Sequence, residues 1–491
     1  MVRPSVPGSA GSPPGRRRVA GLVGVAGLVT GLVMASLPMA PDPLYVSGVG
    51  LDATGRVVDL DGQQLLPGPR VIAPGPDATP ETSLAIHRLA ADQRTWLAGG
   101  VVPGHGTPWA GMVHDALLDI HVLTSANGAT VAGQAPSWRY VWPRDASFAA
   151  VALARTGHHA DAEAVLTFLQ SRQRSDGRFE ARYRPDRPGV PDDRGLQLDS
   201  TGWVLWAAAE AVDAQPPERR TDTLRLLDPQ VRRAVAAAVE AVDPGTGLPP
   251  ASPDFWEVEE SRPTLGSAAP LLAGLHAGAA LRSAVGDSAG AAQASRAAGR
   301  LTEGLSRFAA QGYPSHLGGS ETDIAVAFLL PPFTRTADPA AHAALRSVVP
   351  RLRRRSGGLA PGATWKKDGV SWTPETAIVA LVEATAGNQE AAADLLIWLD
   401  AHRTPSGALP EKVRADGSPA GTAPLTWTAA VVVLAADALD GRAAVHAQGR
   451  GMSRYRGSSA PGSRADPSGV DPSCVSRSCS ARSRASRSRC S

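Results

Sequence analysis

Residues 137–157 read SWRYVWPRDASFAAVALARTG, and this stretch decides the fold. Pro143 suits the first turn of a helix, where its missing N–H costs nothing, and Asp145 in that turn faces the positive end of the helix dipole. Gly157 is a typical C-cap residue. The stretch therefore predicts a helix of about 13 residues that begins at Pro143. The helix is apolar on nearly every side, as expected when a helix is buried all round.

Buried helices of this type recur along the chain and alternate with amphipathic helices such as HADAEAVLTFLQSRQR. Their predicted starts lie near Pro143, Asp199, Pro263, Glu321, Thr373 and Pro424. Six alternating pairs predict an all-α protein, a closed (α/α)6 barrel with six inner and six outer helices. An open solenoid of helix pairs is the alternative, but a solenoid does not need six inner helices that are apolar all round.

Composition divides the chain of 491 residues into four segments. Residues 1–40 are a basic stub followed by an apolar run. Residues 41–80 contain short β-type runs and predict a strand-rich lead-in to the barrel, which is assigned to residues 81–442. Residues 443–491 are rich in Ser and Arg and nearly free of aliphatic residues, so we expect this tail to be disordered.

Within the first segment, residues 16–40 combine three Arg with an uncharged, mostly apolar run. This arrangement is typical of a signal peptide or of a single membrane anchor, and the sequence leaves open whether the segment is cleaved. Because the Arg cluster is expected to stay in the cytoplasm, the rest of the chain is predicted to be extracytoplasmic, either membrane-anchored or secreted.

The net charge of +3 hides an uneven distribution. Residues 1–40 carry four Arg and no acidic residue, and residues 451–491 carry eight Arg and two Asp, so the predicted barrel is net negative. The basic balance therefore does not indicate a nucleic-acid partner. The three cysteines, Cys474, Cys479 and Cys490, all lie in the tail, so we expect neither a disulfide nor a cysteine metal site in the barrel. No cofactor or metal is predicted.

Polar and aromatic residues gather just before the predicted inner helices. In a closed ring all inner-helix N-termini point to one end, so these side chains are expected to meet there. They are Trp142, Arg144, Asp145, Asp199, Trp256, Glu257, Trp372, Glu375, Glu411 and Trp427. Aromatic rings stack on the C–H faces of sugars, and Asp or Arg binds their hydroxyl groups. A pair of carboxyl groups in such a pocket suits glycoside hydrolysis.

Four motifs, in this order, resemble glycoside hydrolase family 15, the family of glucoamylases, glucodextranases and some bacterial trehalases. They are YVWPRDASFAA, GLQLDSTGWVLWA, PDFWEVEESRPTLGSAAPLLAGL and SGALPEKVRADGSPAGTAPLTWTAA, and the resemblance covers roughly residues 105–440. It implies an (α/α)6 barrel and inversion of the anomeric configuration. Where the family commonly has a second Glu beside the first, this chain has Val258.

The resemblance also implies roles for individual residues. Glu257 matches the general acid and Glu411 the general base. Trp142, Arg144 and Asp145 match the residues that hold the terminal sugar. Asp199 and Trp256 match pocket-wall residues, and Trp372 and Trp427 complete the predicted substrate-binding set.

These roles predict an exo-acting, inverting α-glycosidase that releases terminal glucose from an α-glucan or α-glucoside, with an oligo- or polysaccharide as its partner. A trehalase on the same scaffold and a catalytically inactive sugar-binding barrel are the alternatives. The sequence specifies neither the sugar linkage nor the oligomeric state.

The inverting mechanism carries two further expectations for the site. The two carboxyl groups should lie about 6.5–9.5 Å apart, which leaves room for a water molecule. Glu257 follows Phe255 and Trp256, so we expect an apolar environment that keeps it protonated, whereas Glu411 beside Lys412 is expected to be charged.

Overall fold

A computed structural model of the protein describes residues 42–366 and 368–455. In chain order its elements are β1 (Leu44–Val46), β2 (Val49–Leu51), β3 (Val57–Asp59), α1 (Pro80–Ala98), α2 (Ala110–Leu123), α3 (Pro143–Arg155), α4 (His159–Arg172), α5 (Leu198–Ala214), α6 (Arg220–Ala241), α7 (Leu265–Ala284), α8 (Ser288–Ala309), a 3₁₀ segment (Ile324–Leu329), α9 (Pro339–Leu352), β4 (Ser371–Trp372), α10 (Thr373–Ala386), α11 (Gln389–Ala401), β5 (Lys412–Val413), β6 (Pro419–Thr422) and α12 (Thr426–Tyr455).

The inner ring consists of α3, α5, α7, the 3₁₀ segment, α10 and α12. Each of these elements packs against the next one along the chain, and α12 packs against α3, which closes the ring. The outer helices α2, α4, α6, α8, α9 and α11 each pack on inner elements. The predicted (α/α)6 barrel is therefore confirmed, and an open solenoid is excluded.

The fourth inner element differs from the prediction. The sequence predicts a full inner helix from about Glu321, but the structure has only the 3₁₀ segment Ile324–Leu329 at this position. Pro331 and Pro332 follow directly after Leu330, and proline cannot continue a helix because it lacks an N–H and clashes with the preceding turn. The segment still fills its place in the ring, because it packs against α7, α9 and α10 and all six of its residues are buried.

The inner helices α5 and α7 approach each other closely enough for their backbones to touch. A Cβ atom at Gly202 would overlap the carbonyl oxygen of Pro270, and one at Gly274 would lie 2.6 Å from the Cα of Gly202. Any larger side chain at these two glycines would push the two helices apart.

Four short strands build a sheet in the order β1-β6-β5-β4, in which β1 runs parallel to β6 and the other pairs are antiparallel. Strands β2 and β3 form a separate hairpin. The predicted strand-rich lead-in is thus confirmed, whereas β4, β5 and β6 are not predicted by the sequence. These three strands matter for the site because β4 ends at Trp372 and Glu411 directly precedes β5.

Only part of the C-terminal segment belongs to the described residues. Helix α12 continues to Tyr455, beyond the predicted barrel end at residue 442, which composition did not predict. The predicted signal or anchor segment 16–40 and the three cysteines lie outside the described residues. Among the helices of residues 42–366 and 368–455, none is both long and apolar enough to cross a membrane.

Candidate active site

A cavity of about 150 Å³ lies where the N-terminal ends of the inner helices meet. It is lined by Ala132, Trp138, Trp142, Arg144, Asp145, Phe255, Trp256, Glu257, Trp372, Pro374, Glu375, Glu411, Leu425 and Trp427. This set contains every predicted site residue except Asp199. The cavity is smaller than the roughly 300–1,000 Å³ of pockets that bury drug-sized ligands, so its size suits one small unit of a substrate.

Arg144 is the charged centre of the site. Its guanidinium nitrogens lie 3.6 Å from an Asp145 oxygen, 3.3 Å from Asp199 and 3.5 Å from Glu257. The guanidinium carbon also lies 4.8 Å from the centre of the Trp427 ring. A buried cation with three carboxyl partners is held in one orientation, and it in turn fixes the groups around it.

Asp145, the neighbour of Arg144, is almost fully buried at the start of α3. Burial raises the pKa of Asp145 to about 7, although Arg144 acts in the opposite direction. Its Oδ2 atom has no hydrogen-bond partner among the described protein atoms. This oxygen lies 3.6 Å from Arg144 and can still accept a hydrogen bond.

Glu257 lies in the loop between α6 and α7, with 23% of its side chain exposed. Its Oε1 atom is 3.5 Å from Arg144, and its Oε2 atom contacts Arg194. The apolar environment predicted for Glu257 is therefore wrong, because the chain turns sharply at this residue. Its φ of 53° is a left-handed conformation that side chains other than glycine seldom adopt.

The two aromatic residues that precede Glu257 face other partners. The Phe255 ring packs at 5.7 Å from Phe328, and the Trp256 ring at 4.8 Å from Trp365. Both rings line the cavity, but neither shields the carboxyl group of Glu257 from its two arginines. The left-handed backbone of Glu257 is unusual, and such conformations concentrate at functional sites.

Glu411 reaches the cavity from the loop before β5, and only 7% of the residue is exposed. Its N–H donates to the carbonyl of Thr422 at 2.9 Å, and its carbonyl accepts from the N–H of Thr373 at 3.1 Å. Burial raises the pKa of Glu411, while Lys412, whose Nζ lies 3.5 Å from Oε2, lowers it to a smaller extent. Glu411 is thus the more deeply buried of the two glutamates, which is the reverse of the expectation from sequence.

Comparisons with solved structures show which proteins share this arrangement of helices. A bacterial glucoamylase complexed with acarbose matches with a TM-score of 0.57 and 14% identity over 74% of this chain and 62% of that chain. The glucoamylase of Saccharomycopsis fibuligera matches with a TM-score of 0.53 and 11% identity over 73% of this chain and 96% of the other. The fold is that of the glucoamylases. The predicted resemblance to glycoside hydrolase family 15 is confirmed at the level of the fold.

Two further comparisons match glycoside hydrolases. A glycosidase solved in complex with glucose matches with a TM-score of 0.56 and 22% identity over 67% of this chain and 96% of that chain. An uncharacterized glycosyl hydrolase of Methanocaldococcus jannaschii is 31% identical over 94 residues, which are 19% of this chain. The matched part spans only 15% of the length of that relative. No protein-family model matches the chain.

Within the glucoamylase fold, Asp199 does not line the cavity, contrary to its predicted place in the pocket wall. It is fully buried at the start of α5, behind Arg144, to which its Oδ2 atom is hydrogen-bonded. Asp199 therefore contacts Arg144 rather than the cavity.

Trp138, Glu375 and Lys412 are among the residues near the cavity that have no place in the predicted binding set. Trp138 and Glu375 line the cavity, and Lys412 contacts Glu411. Glu375 is expected among the side chains that meet at this end of the barrel, and the structure places it there, but the sequence assigns it no binding role. Lys412 is expected to act on Glu411 as its neighbour in sequence, and it lies in strand β5. Trp138 carried no comparable signal, because it lies in a turn whose approach to the cavity depends on contacts with distant segments.

Glu375 is only 2% exposed, and its Oε2 atom has no hydrogen-bond partner among the described protein atoms. Burial is the largest influence on this group and raises its pKa to about 8. Glu375 is therefore expected to be protonated at neutral pH and to act as a hydrogen-bond donor toward the cavity.

We expect the Glu375→Gln variant to keep kcat/KM within a few-fold of the wild-type value below pH 7. Glutamine has nearly the same shape as a protonated glutamate, and it also donates a hydrogen bond. The measurement is hydrolysis of a glycoside that the wild-type protein cleaves. A hundredfold loss in Glu375→Gln would show that the charged carboxylate is required, whereas Glu375→Ala should lose activity in either case.

Two further carboxyl groups are buried in this part of the protein, one in the loop that carries Glu257 and one just before the 3₁₀ segment. Asp254 accepts hydrogen bonds from the Trp256 N–H at 3.0 Å and from the Thr264 hydroxyl at 2.8 Å, so it anchors this loop. Asp323 accepts from the N–H of Ala325 at 2.9 Å. Burial raises the pKa of Asp254 to about 6 and that of Asp323 to about 8.

Raised carboxyl pKa values predict that the free energy of unfolding decreases as the pH rises. An aspartate in the unfolded chain titrates near pH 3.9, so the folded protein binds more protons than the unfolded chain between about pH 4 and pH 8. The stabilising contribution is complete below that window and is lost across it. In Asp323→Asn, which keeps the acceptor for Ala325, Tm should therefore fall less between pH 5 and pH 8 than in the wild type.

Thermal unfolding at several pH values measures this difference. Each kcal/mol of unfolding free energy should change Tm by roughly 2–4 °C. Asp77→Asn, at an exposed position, is the matched control and should follow the wild-type curve. An unchanged pH dependence in Asp323→Asn would contradict the assignment to Asp323.

Within residues 42–366 and 368–455, no three His, Cys, Asp or Glu side chains are grouped so that they could hold a metal ion.

Proposed function

We propose that the protein is an exo-acting, inverting α-glycosidase that releases a terminal glucose unit from an α-glucan or α-glucoside. The observation that carries the proposal is the small cavity in which Glu257 and Glu411 meet the Arg144–Asp145 pair. A cavity of this size admits the end of a sugar chain rather than its middle. The polar pair at its wall can bind hydroxyl groups, and the tryptophans that line it offer flat faces for sugar rings.

In the proposed reaction Glu411 removes a proton from a water molecule as that water attacks the anomeric carbon. Glu257 protonates the glycosidic oxygen as the bond to the leaving group breaks. Lys412 supports the first role, because its positive charge favours the carboxylate form of Glu411.

If Glu257 is the general acid, Arg194 must be able to move away from it. Arg194 contacts Glu257, and its side chain is 40% exposed. A leaving group that approaches Glu257 must take the place of this arginine. Because Arg194 is exposed, such a displacement returns its charge to water rather than to a buried environment. We therefore include movement of Arg194 as a step of the proposed reaction.

The test is to incubate the purified protein with maltose, isomaltose, dextran and trehalose and to follow the products by NMR. Release of β-glucose before mutarotation would support an inverting α-glycosidase, and the cleaved substrate would identify the linkage. Release of α-glucose first would overturn the inverting mechanism, and a lack of hydrolysis of every α-glucoside would overturn the proposal. Preferential cleavage of trehalose would point to a trehalase on the same scaffold.

We also propose an extracytoplasmic location for the enzyme, on the basis of the three Arg and the apolar run in residues 16–40. Addition of a protease to intact cells should then degrade the protein. Full protection in intact cells, with degradation after lysis, would contradict this location.

A further inference from the structure

Lys412 lies between two carboxylates, one of which belongs to the proposed base. Its Nζ atom is 2.5 Å from Oδ2 of Asp42 and 3.5 Å from Oε2 of Glu411. The ammonium group also lies 4.5 Å from the centre of the Trp372 ring. With only 10% of its side chain exposed, Lys412 has little freedom to turn away into solvent.

Asp42 belongs to the lead-in at the other end of the described chain, and hydrogen bonds fix it there. Its carbonyl oxygen accepts from Arg414 at 2.7 Å, and the carbonyl of Pro43 accepts from the N–H of Gly421 at 2.9 Å. Strand β1 then pairs in parallel with β6. The position of the Asp42 carboxylate is therefore set by the same sheet that carries Glu411.

The space around Glu411 also allows little movement. Gly421 has a φ of 78°, and a Cβ atom at this position would overlap the Glu411 carboxylate. The titratable groups that act on Glu411 are Lys412 of β5 and Asp42 of the lead-in, and Glu375 of α10 also couples to it. Of these, Lys412 is positive, Asp42 is a half-exposed carboxylate that contacts Lys412, and burial raises the pKa of Glu375 to about 8.

We propose that Lys412 and Asp42 are positioning residues for the base: Lys412 keeps Glu411 ionised, and Asp42 holds the Lys412 ammonium and limits its pull on Glu411. This inference rests on the proposed role of Glu411. It extends that role to the lead-in outside the barrel, because a carboxylate of the lead-in then adjusts the proton affinity of a group in the cavity.

The two residues should act in opposite directions on the acidic limb of the pH profile of kcat/KM. Without the Lys412 charge, Glu411 should hold its proton to a higher pH, so Lys412→Gln should move the limb upward by about one pH unit. In Asp42→Asn the negative charge beside Lys412 is lost while Lys412 stays in contact with the Trp372 ring. The acidic limb should therefore move to lower pH. Lys412→Arg keeps the positive charge, so its pH profile should stay close to that of the wild type.

Asp416→Asn is the matched control, because Asp416 is an exposed carboxylate in the turn between β5 and β6 that bonds only to Ser418 among the described residues. It should leave the acidic limb in place. If Lys412→Gln and Asp42→Asn lower turnover without moving the limb, both residues have a structural role and the inference is overturned. If Lys412→Gln does not fold, Asp42→Asn and Lys412→Arg still decide the question.

A second measurement separates this inference from the proposed function. The carboxyl carbon of Glu411 can be followed by ¹³C NMR during a pH titration, with its signal assigned by its loss in Glu411→Gln. Opposite shifts of this titration in Lys412→Gln and Asp42→Asn would support the positioning role even if no glycoside were cleaved. If the protein hydrolyses a glycoside but the Glu411 titration is the same in the wild type and in both variants, the positioning role is wrong and the proposed function stands.

Discussion

The Glu411→Gln variant is expected to lose on the order of 10³–10⁴ in kcat, because a general base of this kind contributes a factor of up to about 10⁴. Gln keeps the shape of the side chain but cannot accept a proton from water. The backbone hydrogen bonds of Glu411 to Thr422 and Thr373 do not depend on its side chain, so we expect the change to leave the fold intact. Steady-state kinetics on the best substrate, with Tm as a folding control, measures the loss.

The Glu257→Gln variant should lose a similar factor on ordinary glycosides, and a change of leaving group separates the two roles. An α-glucosyl fluoride needs no protonation of its leaving group, so it bypasses the general acid but still needs the base. We therefore expect Glu257→Gln to hydrolyse the fluoride at a rate close to that of the wild type, and Glu411→Gln to remain inactive on it. The opposite pattern would exchange the two roles.

The same substitution at Glu375 is the internal control for these losses. Glu375 lines the same cavity and is also buried, but its pKa is raised to about 8, so its working form is the neutral one. A large loss at Glu411 together with a small one at Glu375 would show that the charge on Glu411 is needed, rather than merely an oxygen atom at that place.

The Arg144→Met variant should lose about 3–5 kcal/mol of unfolding free energy, which is the cost of removing one partner from a buried ion pair. Methionine fills part of the space but leaves Asp145, Asp199 and Glu257 without their shared cation. Activity should fall with stability, because the same cation holds two groups that line the cavity. Denaturation by urea, followed by circular dichroism, measures the change.

Arg155→Met, at the other end of the same helix, is the control. Arg155 pairs with Asp437 at 3.1 Å, but 46% of its side chain is exposed, so loss of this pair should cost no more than about 1 kcal/mol. If both variants lost equally little, Arg144 would not be the electrostatic centre of the site.

Much of the barrel could be predicted because its inner helices are marked at their N-terminal ends. Helix starts are marked at Pro143, at Thr373 and at the residues just before Leu198 and Leu265, and an apolar run follows each of them. The fourth inner element was the exception, although its signal was present. Only seven apolar residues separate Asp323 from Pro331, which is too short a run for a helix of several turns.

The chemical surroundings of the glutamates could not be predicted, because they depend on side chains from distant loops. Neighbours in sequence suggested an apolar Glu257, but the left-handed turn at this residue directs the carboxylate to Arg144 and Arg194. Glu411 and Lys412 were predicted as a charged loop, whereas strands β5 and β6 bury both. Local sequence specifies which residues reach the cavity, and contacts between remote segments decide their environment.

The pairing of β1 with β6 has a consequence for when the protein becomes active. Asp42 and Arg414, which are hydrogen-bonded, stand 372 positions apart in the chain. During synthesis the first strand must wait until the ribosome has added almost the whole barrel before its partner strand exists. Since Glu411 directly precedes β5 and β6, chains that end before these strands lack the proposed base, and hydrolysis would report that translation has passed this sheet.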